Sequence, residues 1–256
     1  MKNAPRLDRR RFLSGAARTL GLLTLAGCDN LSQNTWFPHL LGRAEGLTEW
    51  AQRLLTSRVA MAKEYTDADL SRVFPANGES NPESPEYRAH VDNGFEKWTM
   101  EVGGLVQQPA RFSLLELRGM PFRTQITRHD CVEGWSAIAK WTGVPLREVL
   151  THVQPLPSAR YVVFHCADKD EDNTAYYESL DMEDANHPQT ILAYEMNGAD
   201  LPIAHGAPLR LRVERQLGYK HAKYVMRIEL VERLEGIGGG LGGYWEDQGY
   251  EWYAGI

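Results

Sequence analysis

The chain has 256 residues, with 28 Lys and Arg against 34 Asp and Glu and a formal net charge of -6. That length holds one large core or two small domains. The acidic balance argues against nucleic acid as the main partner, and no basic tract, heptad run or internal repeat is present.

In chain order, Asp8-Arg9-Arg10-Arg11-Phe12-Leu13 reads as a twin-arginine export signal, followed by an apolar stretch from Leu20 to Ala26. That stretch is too short to span a bilayer as a helix. Leu25-Ala26-Gly27-Cys28 resembles a bacterial lipoprotein box, which makes Cys28 the lipidated new N-terminus; a plain cleaved signal with Cys28 incidental is the alternative. Either way residues 1–28 are a signal, and both motifs place the mature chain in the periplasm. The lipobox adds an anchor on the inner membrane. The twin-arginine route carries folded proteins, typically with a cofactor already inserted.

Residues 29–90 are expected to be a tether, a helix and an N-terminal extension of the fold. Leu47, Trp50, Ala51, Leu54, Leu55 and Met61 follow a helical period to about Tyr65. Phe74 to Pro85 is too rich in Pro, Gly, Ser and Glu for regular structure. Residues 91–256 form the main domain. Trp98, Met100 and Val102 alternate as a strand that Gly103-Gly104 turns. Ser113-Leu114-Leu115-Glu116 is a capping box opening a short helix that stops at Gly119-Met120-Pro121.

The stretch from Thr124 to Leu150 organises the rest. A strand ends in Arg128, His129 and Asp130, and Cys131 follows at its exit. Trp135, Ile138 and Trp141 then suggest a helical pattern, and Val144-Pro145 starts another helix. A cation and an imidazole beside Cys131 are expected to lower its thiol pKa. A small buried hydrophobe is the alternative for this cysteine.

Arg160 to Cys166 reads as a buried strand ending before a charged loop, Asp168 to Asp172. Thr190 to Met196 is another strand, and Asn197-Gly198 a tight turn. His205-Gly206-Ala207-Pro208-Leu209-Arg210 and Gly218-Tyr219-Lys220-His221-Ala222-Lys223 bracket a short strand. Their cations either face solvent or converge on one anion. Gly236 to Gly243 is a glycine-rich loop without the Lys-Ser/Thr of a phosphate loop, and the aromatic-acidic tail from Tyr244 folds back over a face.

RHDCVEGWSAIAKWTGVPL resembles the segment of the sulfite-oxidase family of molybdopterin enzymes that supplies a protein thiolate to molybdenum. The C-V-E-x-W-S run is similar in particular to the periplasmic bacterial branch that includes methionine-sulfoxide reductase catalytic subunits. The resemblance runs to the C-terminus through H-G-x-P-x-R and G-Y-K-x-x-K. It implies an α+β fold of sulfite-oxidase type, a mixed sheet with peripheral helices around one pterin cleft. It implies a molybdenum–molybdopterin cofactor in its non-dinucleotide form, with Cys131 on the metal. Asn77, Cys166, His205, Arg210, His221, Ala222 and Lys223 are carried over as cofactor contacts. At Asn77 an ordinary Asn-Gly turn is the alternative. His205 departs from the reductase branch, which usually has Asn there, and matches sulfite oxidases.

The implied reaction is two-electron oxygen-atom transfer on a small S- or N-oxo substrate. Sulfite oxidation and sulfoxide reduction both stay open, because an oxyanion needs a cationic pocket and a sulfoxide needs less charge. Arg128 and Arg123 are the candidate substrate-side cations, and His129 a candidate proton carrier. The chain has no C-x-x-C-H haem site and no iron–sulfur spacing, so a separate electron-transfer protein, a cytochrome or a membrane haem subunit, is the expected partner. Rival readings are a zinc site of His129, Cys131, His165 and Cys166, a Cys131–Cys166 disulfide, and a non-catalytic lipid-anchored binding protein on the same fold.

Overall fold

The structure, a computed structural model, describes residues 59–170 and 172–256. The export signal, the lipobox with Cys28, the tether and the 47–58 part of the expected helix lie outside the described residues. Residues 59–65 correct the remainder of that helix. They are not helical, and Glu64 forms a bridge with Thr127.

Two sheets organise the fold. In the first, β1 (Thr99–Gly104) pairs in parallel with β10 (Val225–Val231) and antiparallel with β2 (Ala110–Ser113). β10 then pairs with β5 (Tyr161–Lys169), and β5 with β6 (Ala175–Asp181), both antiparallel. In the second, β3 (Arg123–Asp130), β4 (Ser136–Pro145) and β7 (Ile191–Met196) run antiparallel. Here β7 also meets β8 (Ala199–Asp200) and β9 (Arg210–Arg212). Among the described residues, five short α-helices flank them: α1 (Pro85–Asp92), α2 (Leu114–Gly119), α3 (Leu146–Val153), α4 (Met182–Ala185) and α5 (Tyr244–Asp247). This is the α+β arrangement of mixed sheet and peripheral helices that the sequence predicts.

Local chemistry explains most of these elements. Ser113 accepts from the Glu116 amide at 3.2 Å while Glu116 accepts from the Ser113 amide at 2.8 Å, closing the predicted capping box. Asn197 and Gly198 turn β7 into β8 with positive φ at both, the conformation that suits Asn and Gly. Pro145 caps α3, whose buried face is Leu146, Val149, Leu150 and Val153. That face packs into a core with Trp98, Met100, Val162, Phe164, Ile228 and Leu230. Each such side chain contributes about 1.5–3 kcal/mol of burial.

The helix expected through Trp135, Ile138 and Trp141 is instead β4. Its buried positions Ala137, Ala139 and Trp141 recur every second residue, a strand period that small alanines made faint. β5 also outruns its expected end, carrying Asp168 into the fold rather than into a solvated loop.

Candidate functional site

A cavity of about 220 Å³ opens at the exit of β3. Cys131 is on its wall, 7% exposed, and its thiol is free. The turn after β3 is closed by two backbone bonds: the Cys131 amide donates to the Trp135 carbonyl at 2.9 Å and the Gly134 amide to the Cys131 carbonyl at 3.1 Å. The Asn77 side-chain amide donates to Cys131 Sγ at 3.6 Å. The predicted thiol environment is corrected here, because burial pushes the Cys131 pKa up. Arg128 turns outward to Asp130 at 2.9 Å, so its charge does not reach the sulfur side. Hydrogen bonds from the Glu133 and Val132 amides and from Asn77 offset that burial in part, and a bound metal cation would complete the offset, since a coordinating thiol deprotonates outright.

Arg210, His221 and Lys223 line the same cavity, with Asn77, Gly218 and Tyr219. Lys223 ties the walls together. Its ammonium donates to the carbonyls of Asn77 (2.7 Å), Ala204 (3.4 Å) and Glu79. Gly206, at φ +109°, lets the chain pass close: a Cβ there would lie 2.9 Å from the Lys223 Cβ. Phe74 fixes the other end of the 74–79 loop, with its ring 5.5 Å from those of His129, Trp141 and His205.

Beneath the cavity lies a buried polar column. Arg210 and Arg212 both lie over the Trp141 ring, at 4.9 and 4.4 Å. Arg212 makes a two-pronged pair with Glu214 at 2.9 and 2.6 Å and donates to His129 Nδ1 at 3.0 Å. That bond requires an unprotonated Nδ1, so neutral His129 carries its proton on Nε2. Burial and the Arg212 and Arg210 charges hold His129 well below the usual imidazole range. This corrects its reading as a proton carrier near neutral pH. His129 is 1% exposed, and its Nε2 would lie 2.5 Å from a Cβ at Gly218. His221 is likewise held low by burial and by Arg212. Its Nε2 donates to the Gln216 carbonyl at 3.1 Å, leaving Nδ1 as an acceptor.

Of the predicted contacts, Asn77, Cys131, Arg210, His221 and Lys223 come together on the cavity wall. His205, Ala222, Cys166, His129 and Arg128 are not on it. His205 supplies a carbonyl to Arg210 at 3.0 Å, and Ala222 one to the Leu211 amide at 2.8 Å. Cys166 sits on β5 opposite Val225, its thiol free, which removes the disulfide. Arg123 bonds Gln125 at 2.8 Å and pairs with Glu64, away from the cavity wall. The zinc quartet does not assemble, for His165 instead meets Glu229 at 3.0 Å and Arg227 at 2.9 Å, and no metal-holding group of His, Cys, Asp and Glu occurs among the described residues.

Among the wall residues that the sequence reading does not pick out, Asp168 has the clearest chemical consequence. Asp168 is 6% exposed, lines the cavity, and its Oδ1 has no hydrogen-bond partner among the described residues. Burial pushes its carboxyl up while the neighbouring Lys223 draws it back. The spacing of two from Val162 and Phe164 was the available signal. Arg210 Nε and His221 Nδ1 are also buried and unpartnered among the described residues. A buried polar atom left unsatisfied costs about 1–3 kcal/mol. Three of them around one hollow, with both donor and acceptor character beside a free thiol, fit an anionic heterocycle carrying a soft metal.

No helix among the described residues is long and apolar enough to cross a membrane. Residues 87–236 match the model of the oxidoreductase molybdopterin-binding domain. The chain is 38% identical over 247 residues to the putative protein-methionine-sulfoxide reductase subunit YedZ1 of Azospira oryzae, covering 96% of this chain and 87% of that one. It is 42% identical over 147 residues to the protein-methionine-sulfoxide reductase catalytic subunit MsrP of Xanthomonas axonopodis pv. citri, covering 54% of this chain and 46% of the relative. The match thus spans under half the length of MsrP. Among solved structures, the sulfane dehydrogenase SoxCD of Paracoccus pantotrophus overlaps 54% of this chain and 39% of its own, at 23% identity and a TM-score of 0.49. The chain belongs to the family of oxidoreductases with a molybdopterin-binding domain, and it is a molybdopterin-dependent oxidoreductase of sulfite-oxidase type.

Proposed function

We propose that the protein reduces a neutral sulfoxide to a thioether, using molybdenum held by a single pyranopterin dithiolene and the Cys131 thiolate. The observation that carries this reading is the free Cys131 thiol on one cavity wall with Asn77, Arg210, His221 and Lys223. When bound, the cofactor supplies two-electron chemistry that exchanges an oxygen atom with sulfur. The chain's residues do the rest. Cys131 gives the soft ligand, and the Asn77 amide orients it. Arg210 and Lys223 offset the cofactor's negative charge, and the Asp168 Oδ1 and His221 Nδ1 acceptors take its N–H groups.

The direction follows from charge. Arg128 is turned out to Asp130 and Lys169 is drawn to Asn173, while Glu79, Glu133 and Asp170 line the cavity with Tyr219, Tyr244 and Trp245. Such a mouth repels an anion such as sulfite and accepts a neutral sulfoxide on aromatic faces. The two curated relatives described above carry protein-methionine-sulfoxide reductase names, in keeping with this choice. Reduction consumes two electrons and two protons and releases water, so a haem-bearing partner protein supplies the electrons. The twin-arginine-like motif supports a periplasmic location, and the lipobox-like motif at Cys28 supports an inner-membrane lipid anchor.

Metal and pterin analysis of the exported protein, followed by turnover with a reduced dye on methyl sulfoxides, N-oxides and sulfite, tests the reading. Molybdenum with pterin and sulfoxide turnover is the expected result. A cofactor-free protein, or one oxidising sulfite alone, overturns it.

A further inference from the structure

Along residues 218–223 the side chains divide. Tyr219, His221 and Lys223 line the cavity. Lys220, wholly buried, turns the other way and bonds both Glu178 on β6 and Glu246 on α5. All three side chains are at most 1% exposed. The Trp252 ring covers the ammonium at 5.5 Å, and its Nε1 donates to Ser179 Oγ at 2.8 Å. Gly243 rests directly on the carboxylates: a Cβ there would collide with Glu246 and lie 2.9 Å from Glu178 Oε1.

Helix α5 has four residues, too few to hold itself together. Its neighbours hold it. Asp247 accepts from Tyr177 Oη at 2.6 Å and from the Gly239 and Leu241 amides at 2.7 and 3.0 Å. Glu246 is held by Lys220. The same helix carries Tyr244 and Trp245, which line the cavity. Beyond it the chain runs along residues 217–223, the cofactor loop of the proposed reading, with Leu217 N to Ala254 O at 2.9 Å and Tyr219 Oη to Glu251 O at 2.6 Å. One buried ammonium therefore joins the two segments that make adjacent walls.

A buried ion cluster adds little stability over an apolar replacement, but losing Lys220 leaves two buried carboxylates without their cation, and losing Glu246 removes the link to α5. Its best-attested use is to fix register. We propose that Lys220, through Glu178 and Glu246, is the positioning residue that locks the C-terminal segment onto the cofactor loop, and that this lock retains the bound molybdopterin. The inference rests on the cavity being the molybdopterin site.

Full-length holoprotein carrying Lys220→Met, Glu246→Gln or Gly243→Ala tests it with two readouts. One is chymotryptic cleavage within residues 244–253, followed by mass spectrometry. The other is pterin remaining after timed dilution and desalting, read as fluorescence of the oxidised pterin. Each variant is expected to lose pterin and to be cleaved about tenfold faster than wild type, within the range for outer-shell supports. Should Lys220→Met fail to fold, Glu246→Gln and Gly243→Ala carry the test. Either change without the other, or neither, overturns the lock. A wild-type protein without pterin overturns the underlying reading and the lock with it; wild-type-like pterin retention in the variants overturns the lock alone.

Discussion

Arg210 and Arg212 stand two residues apart on β9, both over Trp141, yet they belong to different regions. Arg212 is matched on every side: Glu214 takes two of its donors and His129 a third. Glu214 is matched in turn by Gln125 at 2.9 Å. Arg210 has only the His205 and His221 carbonyls, at 3.0 and 3.5 Å, and its Nε is unpartnered among the described residues. Burial, with Arg212 beside it, pushes its pKa down to about 9. The same residue type is thus part of a finished structural pair on one side and, on the proposed reading, an open contact for the cofactor on the other. What separates them is polar satisfaction, not burial.

The contrast breaks most visibly at Cys131. Cys131→Ser is expected to reduce sulfoxide turnover to background while pterin content stays near wild type; retained turnover would show that the thiol is not the metal ligand. Next in size, Arg212→Met leaves Glu214 buried without its cation and is expected to cost about 3–5 kcal/mol in urea unfolding. Arg210→Met has no carboxylate to strand. Its unfolding free energy should stay within about 1.5 kcal/mol of wild type, while pterin retention falls about 10–100-fold. Equal losses of stability in the two variants would erase the distinction drawn here.

A smaller effect comes from pH. Burial, then Arg210 and Lys223, holds His205 down at about 4, and His129 and His221 lie well below their ordinary value of 6.5. Depressed pKa values mean that the unfolded chain binds these protons more readily. Their stabilising contribution is therefore complete above about pH 6.5 and lost as pH falls towards 4. Melting temperature should drop across that window, and His205→Gln should flatten the drop. A separate effect is expected from Gly218→Ala, whose methyl would press on His129 Nε2. About 1–3 kcal/mol of overpacking should appear in unfolding, with pterin loss following because Gly218 lines the cavity.

Much of this is legible in the amino-acid sequence. The Ser113 box, the Asn197-Gly198 turn and the Trp98–Met100–Val102 alternation rest on local rules that tertiary packing left alone. The strand exit at Cys131 and the convergence of Arg210, His221 and Lys223 were also readable, the latter only through the family resemblance. β4 was misread because three large residues at a spacing of three outweighed alternating alanines. Asp168 was missed because a charged run reads as solvated, and only β5 carrying it inward reveals an unpartnered carboxyl. Arg128 pointed the wrong way because a two-residue ion pair with Asp130 competes with the cavity for its side chain. Which way a strand-end side chain turns depends on partners that chain order does not display.

The Lys223 ammonium joins carbonyls at positions 77, 79 and 204, and β1 pairs in parallel with the distant β10. The hollow therefore has no walls until nearly the whole chain is available. On the proposed reading, a ribosome-bound chain ending before residue 223 has the thiol but lacks the lysine opposite it, so cofactor uptake follows synthesis of the later wall segments.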